Sequence, residues 1–493
     1  MYFLWLLPFV FAFGIYSYYR RKLDYWTRKG VPHPQPSIPF GNWSYKNKEY
    51  IGYSFKRRYE EFKAKGHKHF GLHFFTSAWY VPIDPEYIKG ILVTDYPYFA
   101  DRGIYYNKKS DPLSANLFHL DGERWKKARV KLTPTFSSGK IKMMFPIVLE
   151  VGRHLKKAVD ECFRKREPMD ALEVFSCFTN DVIGSCAFGV KCNSFENPTN
   201  EFRLQGKRII SDVSKSNSLS VLIPLVSVKL ARLFDITVTS KDLTKFFVGL
   251  VKETIEFREK NSVNVKDAMQ ILIDQRDADN PCDRFTVEEI AAQIYIFYFA
   301  GFESSSSTMT FCLYELARHP HLQDKVKAEI AEVLSRYGSV TYEAINNFKY
   351  LDQVINETLR KYPPLSTLRR VCIKDYKIPG TDITIDKGTS VMIPTLGLHY
   401  DTDVYPNPNS FDPDRFSDES KKNRHSFMYL PFGAGPKTCL GIRFGFTQIK
   451  VGLALLLKEY QFRVNEKTKT PLEYETDKLF FVVKNNVLVD VNK

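Results

Sequence analysis

A cysteine set in a glycine-punctuated loop directly before an apolar helix constrains this chain more than any other feature: residues 432 to 441 read F-G-A-G-P-K-T-C-L-G. Gly433 and Gly435 supply backbone that bends tightly and comes close to a flat partner, because no Cβ intervenes. Cys439 falls where the chain enters a helix expected to begin near Leu440. Unpaired N–H groups there, with the positive end of the helix dipole, are expected to hydrogen-bond the sulfur and lower its pKa. Gly441 then lets the helix approach the same partner. A thiolate so placed is suited to ligating iron. A free cysteine more commonly ends as a structural core residue, but Phe432, the three glycines and the following helix favour the ligand.

This run resembles the cytochrome P450 signature F-x-x-G-x-R-x-C-x-G. Phe432, Gly435, Cys439 and Gly441 match, and Lys437 takes the arginine position. The resemblance implies haem b with the Cys439 thiolate as axial ligand and with position 437 on a propionate. Lysine keeps the charge but loses arginine's bidentate fork, so haem is expected to bind somewhat less firmly.

At 493 residues, with no repeat or low-complexity block after residue 45, the chain reads as one large catalytic unit spanning 46–493. Its eight cysteines contain no C-x-x-C pair, and the seven other than Cys439 read as reduced core residues. His67, His69 and His73 alternate in a short strand and suggest a solvated face rather than a metal site. The net charge of +15 is scattered, without a Lys/Arg-rich arm interleaved with aromatics, which argues for a membrane surface or an acidic protein partner over nucleic acid.

Residues 1–19 carry no charged side chain. As a helix rising about 1.5 Å per residue, they would nearly cross a hydrocarbon core of about 30 Å. With no small-residue cleavage site, they read as a retained anchor. Arg20, Arg21 and Lys22 then keep the body cytosolic and place the N-terminus in the lumen. A basic, proline-rich hinge follows at 20–45, in which Pro32, Pro34, Pro36 and Pro39 predict an extended, stiff segment. Asn42 and Asn356 fit the glycosylation pattern, but a cytosolic body never meets the lumenal enzyme. Residues 221–234 are apolar but too short and too charged to span; they read as a core helix or a surface-dipping amphipathic piece.

One long helix is predicted from Thr286 to about Arg318, opened by a Thr286–Glu289 capping box. Its centre, Ala300-Gly301-Phe302-Glu303-Ser304, resembles the family's A-G-x-[DE]-T. There small residues let the helix pass over the haem while an acid and a hydroxyl handle protons. A hydroxyl bonded one turn back loosens the helix enough to admit water, which suits proton delivery in a dry pocket. Glu303 and Ser304 are the implied catalytic pair, although Ser305, Ser306 and Ser307 continue the run.

Glu357 and Arg360, on one helix face before the Pro363-Pro364 stop, resemble the family's E-x-x-R, and Arg415 in P-D-R-F resembles its third partner. Such a network is costly to bury, so its implied use is to fix the loop presenting Cys439. Trp125 and Arg129 match W-x-x-x-R, which reaches a propionate. Arg370 occupies another propionate position, though a plain surface arginine reads nearly as well, and Arg102 is a weaker candidate.

Long helices dominate residues 140–365, with strands near 70–83 and 378–394. The fold class is therefore mainly α with a small β-sheet subdomain, the cytochrome P450 fold with an N-terminal transmembrane helix. Details such as G-E-R-W-K-K-A-R look like the insect detoxification branch, family 6, and vertebrate family 3. The resemblance implies a microsomal monooxygenase of the endoplasmic reticulum membrane. It would draw electrons from NADPH-cytochrome P450 reductase, with cytochrome b5 as a second partner, and act on lipophilic xenobiotics such as plant toxins or insecticides. Phe118, His119, Tyr298, Phe299 and Phe302 are the candidate pocket wall. The rival readings are a haem-thiolate isomerase or dehydratase that needs no dioxygen, and a non-catalytic membrane protein that binds haem or ligand.

Overall fold

The Thr286 hydroxyl accepts the Glu289 N–H while the Glu289 carboxylate accepts the Thr286 N–H, and this reciprocal cap opens a 32-residue helix, Val287–Arg318. Most of its side chains are buried, so it forms the axis of the core. In the computed structural model, residues 2–43, 49–214, 219–263, 265, 267–276 and 284–493 are described. The expectation for Cys282, and those for the side chains of Val221 and Leu222, lie outside the described residues.

The helices used below are, in chain order, α1 (Tyr2–Leu23), α2 (Ile51–Ala64), α3 (Gly122–Leu132), α4 (Ser138–Lys165), α5 (Ala171–Ile183), α6 (Glu201–Ser214), α7 (Leu219–Val226), α8 (Val228–Leu233), α9 (Lys241–Lys260), α10 (Val287–Arg318), α11 (Pro320–Tyr337), α12 (Lys349–Lys361) and α13 (Ile442–Leu457). Strands β1 (His69–Phe74), β2 (Ser77–Pro82), β4 (Leu368–Val371) and β7 (Ser390–Ile393) form a sheet ordered β1-β2-β7-β4. Its β2–β7 pairing is parallel, and its outer pairings are antiparallel. Strands β3 (Met169–Asp170), β8 (Gln461–Val464) and β9 (Leu488–Asn492) make a second sheet ordered β3-β9-β8, and β5 (Tyr376–Lys377) pairs with β6 (Thr384–Ile385). The body is mainly helical, as expected. Its strands, however, form three sheets rather than one, because short segments from the chain's far end return to pair with the β3 region.

Sheet β1-β2-β7-β4 carries its own core, covered on both faces. Phe62 of α2 stacks on Phe70 at 4.6 Å, and on the other face the Trp26 ring fills the space above Gly71, where a Cβ would lie 2.4 Å from it. This overturns the solvated-face reading of the histidine alternation, since His69 and His73 are buried. His69 Nδ1 meets the Tyr80 hydroxyl at 2.9 Å, and burial pushes both imidazoles down to about 4. Among the described residues no cluster of His, Cys, Asp or Glu is arranged to hold a metal ion.

The hinge is docked rather than loose. Trp26 is fully buried and donates to the Leu72 carbonyl at 2.9 Å, and Ser37 and Gly41 close a turn through paired backbone bonds. Residues 2–19 fall within α1, whose last turn carries Arg20, Arg21 and Lys22. The side chains of residues 1–8 lie outside the described residues, and among the described residues no helix is long and apolar enough to cross a membrane.

Candidate functional site

The loop before α13 is folded on itself by backbone bonds. The N–H of Cys439 donates to the Phe432 carbonyl at 2.9 Å, that of Thr438 to Gly435 at 3.0 Å, and that of Gly433 to Leu430 at 3.1 Å. Gly433 and Gly435 both take left-handed backbone, φ 68° and 71°. At Gly435 a Cβ would also stand 2.0 Å from the Leu92 carbonyl oxygen, so that position admits only glycine. Gly441 has no such crowding, its nearest neighbour being the Phe136 ring at 3.8 Å, and α13 starts at Ile442 with Gly441 as its N-cap. The Phe432 ring packs at a tilt against Phe446 of α13, 5.8 Å between centres.

Cys439 keeps accessible surface although protein surrounds it closely, the combination expected of a residue lining an internal space. Burial pushes its thiol pKa up, opposed by the Gly441 N–H and by Arg129 and Arg102. The helix-start donor foreseen from the sequence is therefore present, but in the protein alone the desolvation outweighs it.

Four cations gather beside this loop. Arg102 donates to the carbonyls of Phe118 and Lys437, both at 3.2 Å, and Arg129 donates to the Thr438 carbonyl at 3.0 Å. Arg370 is buried rather than on the surface. It donates to the Arg369 carbonyl at 2.8 Å and leaves its Nε without a partner. Lys437 is buried, and its Nζ makes no hydrogen bond and sits 4.1 Å above the centre of the Trp125 ring. Burial, reinforced by the neighbouring arginines, pushes Lys437 down to about 7 and Arg102 to about 9. None of the four is ion-paired to a carboxylate among the described residues. Grouped, enclosed and unpaired cations suit a ligand that brings its own two carboxylates, as haem does with its propionates, so the residues present fit the group.

Helix α10 passes the same region and is tied to α13 by Gln448, whose amide donates to the Ser305 hydroxyl at 2.5 Å. Ser304 donates to the Ala300 carbonyl at 2.5 Å, the back-bond anticipated for a locally loosened helix. Of the serine run Ser305, Ser306 and Ser307 are buried, whereas Ser304 keeps accessible surface next to exposed Ala300. Burial pushes the Glu303 carboxyl up, tempered by Lys478 and Lys207. The Cβ that Gly301 lacks would lie 2.7 Å from Ile183, so its small size brings α5 close to α10.

Glu357 and Arg360 are buried, and Arg415 is half-buried beside them. Arg360 grips Glu357 through two bonds of 2.7 Å, and Arg415 Nε stands 3.6 Å from the same carboxylate. His399, which no sequence motif singled out, joins this network to the ligand loop. Arg360 donates to the His399 carbonyl at 2.9 Å, His399 Nδ1 meets the Arg360 carbonyl at 3.0 Å, and the Leu430 N–H donates to His399 Nε2 at 2.9 Å.

The aromatic candidates separate. Phe118 lies under the Arg102 guanidinium at 4.6 Å, and His119 beside it is pushed down to about 4 by burial and Arg102. Phe299 faces the C-terminal segment, its ring 5.1 Å from Phe480. Tyr298 and Phe302, expected on the pocket wall, instead stack on each other at 5.3 Å within the interhelical core, where Tyr298 donates to Asn180 at 2.7 Å and Phe302 gives its carbonyl to Thr179. They lie one turn apart on the face that α10 turns toward α5 and α6, so packing between helices uses their rings.

The chain matches the family model described as Cytochrome P450 over residues 32–490. It is 39% identical to a protein of Drosophila melanogaster named probable cytochrome P450 6a14, with 97% of each chain covered. It is 40% identical to probable cytochrome P450 6a23 of the same fly, with 96% of each covered. With cytochrome P450 6A1 of Musca domestica the identity is 38%, over 98% of this chain and 97% of that protein.

Proposed function

This chain belongs to the cytochrome P450 family and is a haem-thiolate monooxygenase, and from that premise we propose that it oxidises lipophilic xenobiotics, plant toxins or insecticides among them. The observation that supports the site assignment is the set of four cations without carboxylate partners among the described residues, Arg102, Arg129, Arg370 and Lys437, beside an accessible Cys439. Haem b, when bound, supplies the electron-transfer and dioxygen chemistry. The chain's own residues do the rest. The Cys439 sulfur, held by the Phe432–Gly441 turn and receiving the Gly441 N–H, would ligate the haem iron. Trp125, Arg129, Arg370 and Lys437 would hold the propionates, with Arg102 as a fifth contributor that the motifs ranked low. Glu357, Arg360 and Arg415 fix the turn from behind.

Proton delivery is assigned to Ser304 and Glu303. The Ser304 hydroxyl, bonded to Ala300, opens the helix to water on the accessible side of α10. Glu303, held toward its protonated form by burial, is the donor behind it. One atom of dioxygen enters the substrate and the other leaves as water, with electrons that originate in NADPH and arrive through a flavoprotein reductase. The net charge of +15 suits an acidic partner of that kind, and cytochrome b5 would dock by the same attraction. Phe118, His119 and Phe299 are proposed as the pocket wall.

We further assign residues 1–19 as the anchor in the endoplasmic reticulum membrane, 20–45 as the hinge and 46–493 as the cytosolic catalytic body. The end of α8 supports this orientation. Leu233 and Phe234 are 74% and 64% exposed beside Lys229 and Arg232, an apolar surface rimmed by cations that suits a headgroup layer. Reconstitution with purified reductase, NADPH and a panel of lipophilic compounds, with products identified by mass spectrometry, tests the assignment. Oxygenated products that require NADPH are expected. Turnover without NADPH, or no NADPH consumption across the panel, would contradict it.

A further inference from the structure

One turn of the chain, residues 116–120, is strung between α10 and the ligand loop. The Leu117 N–H donates to the Gln293 side chain of α10 at 2.9 Å, and Arg102 joins the Phe118 carbonyl to the Lys437 carbonyl, 3.2 Å from each. The turn closes on itself, with the N–H groups of His119 and Leu120 donating to the Asn116 carbonyl at 3.0 and 2.9 Å. The His119 ring stands edge-on to the Phe118 ring at 5.7 Å, and Phe118 lies under Arg102. That one guanidinium acts electrostatically on both His119 and Cys439, so imidazole and thiol flank the same cation.

Backbone groups decide how this imidazole is protonated. Asn116 is buried; its Nδ2 donates to the Leu113 carbonyl at 2.8 Å, and its Oδ1 accepts the N–H groups of Phe118 and His119 at 3.0 and 3.3 Å. A carbonyl only accepts and an N–H only donates, so the amide has one orientation, with its oxygen toward His119. His119 Nδ1, 3.0 Å from that oxygen, must therefore carry the proton. Burial and the nearby Arg102 keep the ring neutral by pushing it down to about 4.

Nε2 is then a lone pair, and it has no partner among the described residues. It is not sealed in, because His119 keeps accessible surface although protein surrounds it closely. A propionate is itself only an acceptor, so the haem site has no use for this lone pair. In a dry pocket an acceptor left unmet is costly, which favours a ligand that brings a donor.

We infer that His119 Nε2 is a specificity-determining acceptor at the pocket wall, taking a hydrogen bond from the hydroxyl or phenol group of an otherwise apolar substrate. This rests on the reading of that space as a pocket for lipophilic compounds and deepens it by naming the chemistry preferred there. Thymol and thymol methyl ether differ in whether their oxygen can donate. Binding of each to the haem-loaded full chain, measured by equilibrium dialysis, tests the inference without turnover. The wild type should bind thymol about fivefold more tightly than the ether, the worth of one neutral hydrogen bond. His119→Phe keeps a ring and leaves Asn116 Oδ1 its two backbone donors, so the turn should persist while the preference vanishes. His119→Gln, whose amide oxygen accepts, should recover part of the preference.

Equal binding of the two compounds by the wild type, tighter binding of the ether, or a preference retained in His119→Phe would overturn the inference and leave the lipophilic pocket standing. Binding of neither compound would overturn both. Loss of haem from His119→Phe would also overturn it, by making the residue a partner of the macrocycle; an unaltered thiolate-type carbon monoxide difference spectrum is expected.

Discussion

His399 accepts the backbone N–H of Leu430 through Nε2 at 2.9 Å. A backbone N–H can only donate, so Nε2 carries no proton and Nδ1 must be the one that donates to the Arg360 carbonyl at 3.0 Å. One neutral tautomer therefore ties the Glu357–Arg360 pair to the loop that ends at Cys439. Burial enforces neutrality, pushing this imidazole down to about 3.

Replacing His399 by Ala leaves the Leu430 N–H and the Arg360 carbonyl without their imidazole partner in a dry interior. A loss of about 3 kcal/mol is expected. Chemical denaturation should show it, and the fraction of haem in the thiolate-ligated form should fall with it. A variant as stable as the parent, with the thiolate form intact, would remove His399 from this role.

Gly435→Ala places a methyl group against the Leu92 carbonyl oxygen and forces alanine into left-handed backbone, φ 71°. The backbone conformation alone costs about 1–3 kcal/mol, and the clash adds to it. Expression without bound haem is the expected outcome, read from the ratio of haem to protein absorbance. Gly441→Ala, where nothing lies closer than 3.8 Å, should be much milder.

The acid side of the stability profile should be steep. His69 and His73 are held near 4 and His399 near 3, against an ordinary value of 6.5. Depressed imidazoles bind fewer protons in the folded chain than in the unfolded one. Their contribution is therefore complete above about pH 6.5 and lost progressively as pH falls toward 4 and below. Unfolding midpoints measured from pH 8 to pH 4 should fall mainly below pH 6.5, and a flat profile there would contradict the burial assigned to these rings.

Ser304→Ala removes the hydroxyl that bonds Ala300. Product formed per NADPH consumed should drop about tenfold or more while hydrogen peroxide rises, because a positioned proton donor typically contributes at least that much. Unchanged coupling would transfer the role to water or to another hydroxyl of the run.

What the sequence revealed follows how local each feature is. Cys439 and its glycines, the Glu357–Arg360 spacing and the Thr286 cap are contained within a turn or two of chain, so residue type and interval suffice to read them. His399 was invisible because its partners stand 39 and 31 residues away, and nothing around it marks the contact. Tyr298 and Phe302 were misplaced because α10 is buried nearly all round, and periodicity then cannot tell which face meets the pocket. The histidine alternation in β1 misled for a related reason, since a strand covered on both faces by Trp26 and Phe62 hides polar residues as well as apolar ones. The three-stranded sheet was missed because two- to five-residue strands from opposite ends of the chain carry too little pattern.

The proposed ligation of the haem iron by Cys439 is open to direct measurement through the carbon monoxide difference spectrum of the reduced, haem-loaded protein, compared with that of Cys439→Ser. The wild type should show the band specific to thiolate ligation and the serine variant should lack it, with the fold intact by circular dichroism. A thiolate band that survives in Cys439→Ser, or a wild type with imidazole or water opposite the carbon monoxide, would contradict the assignment.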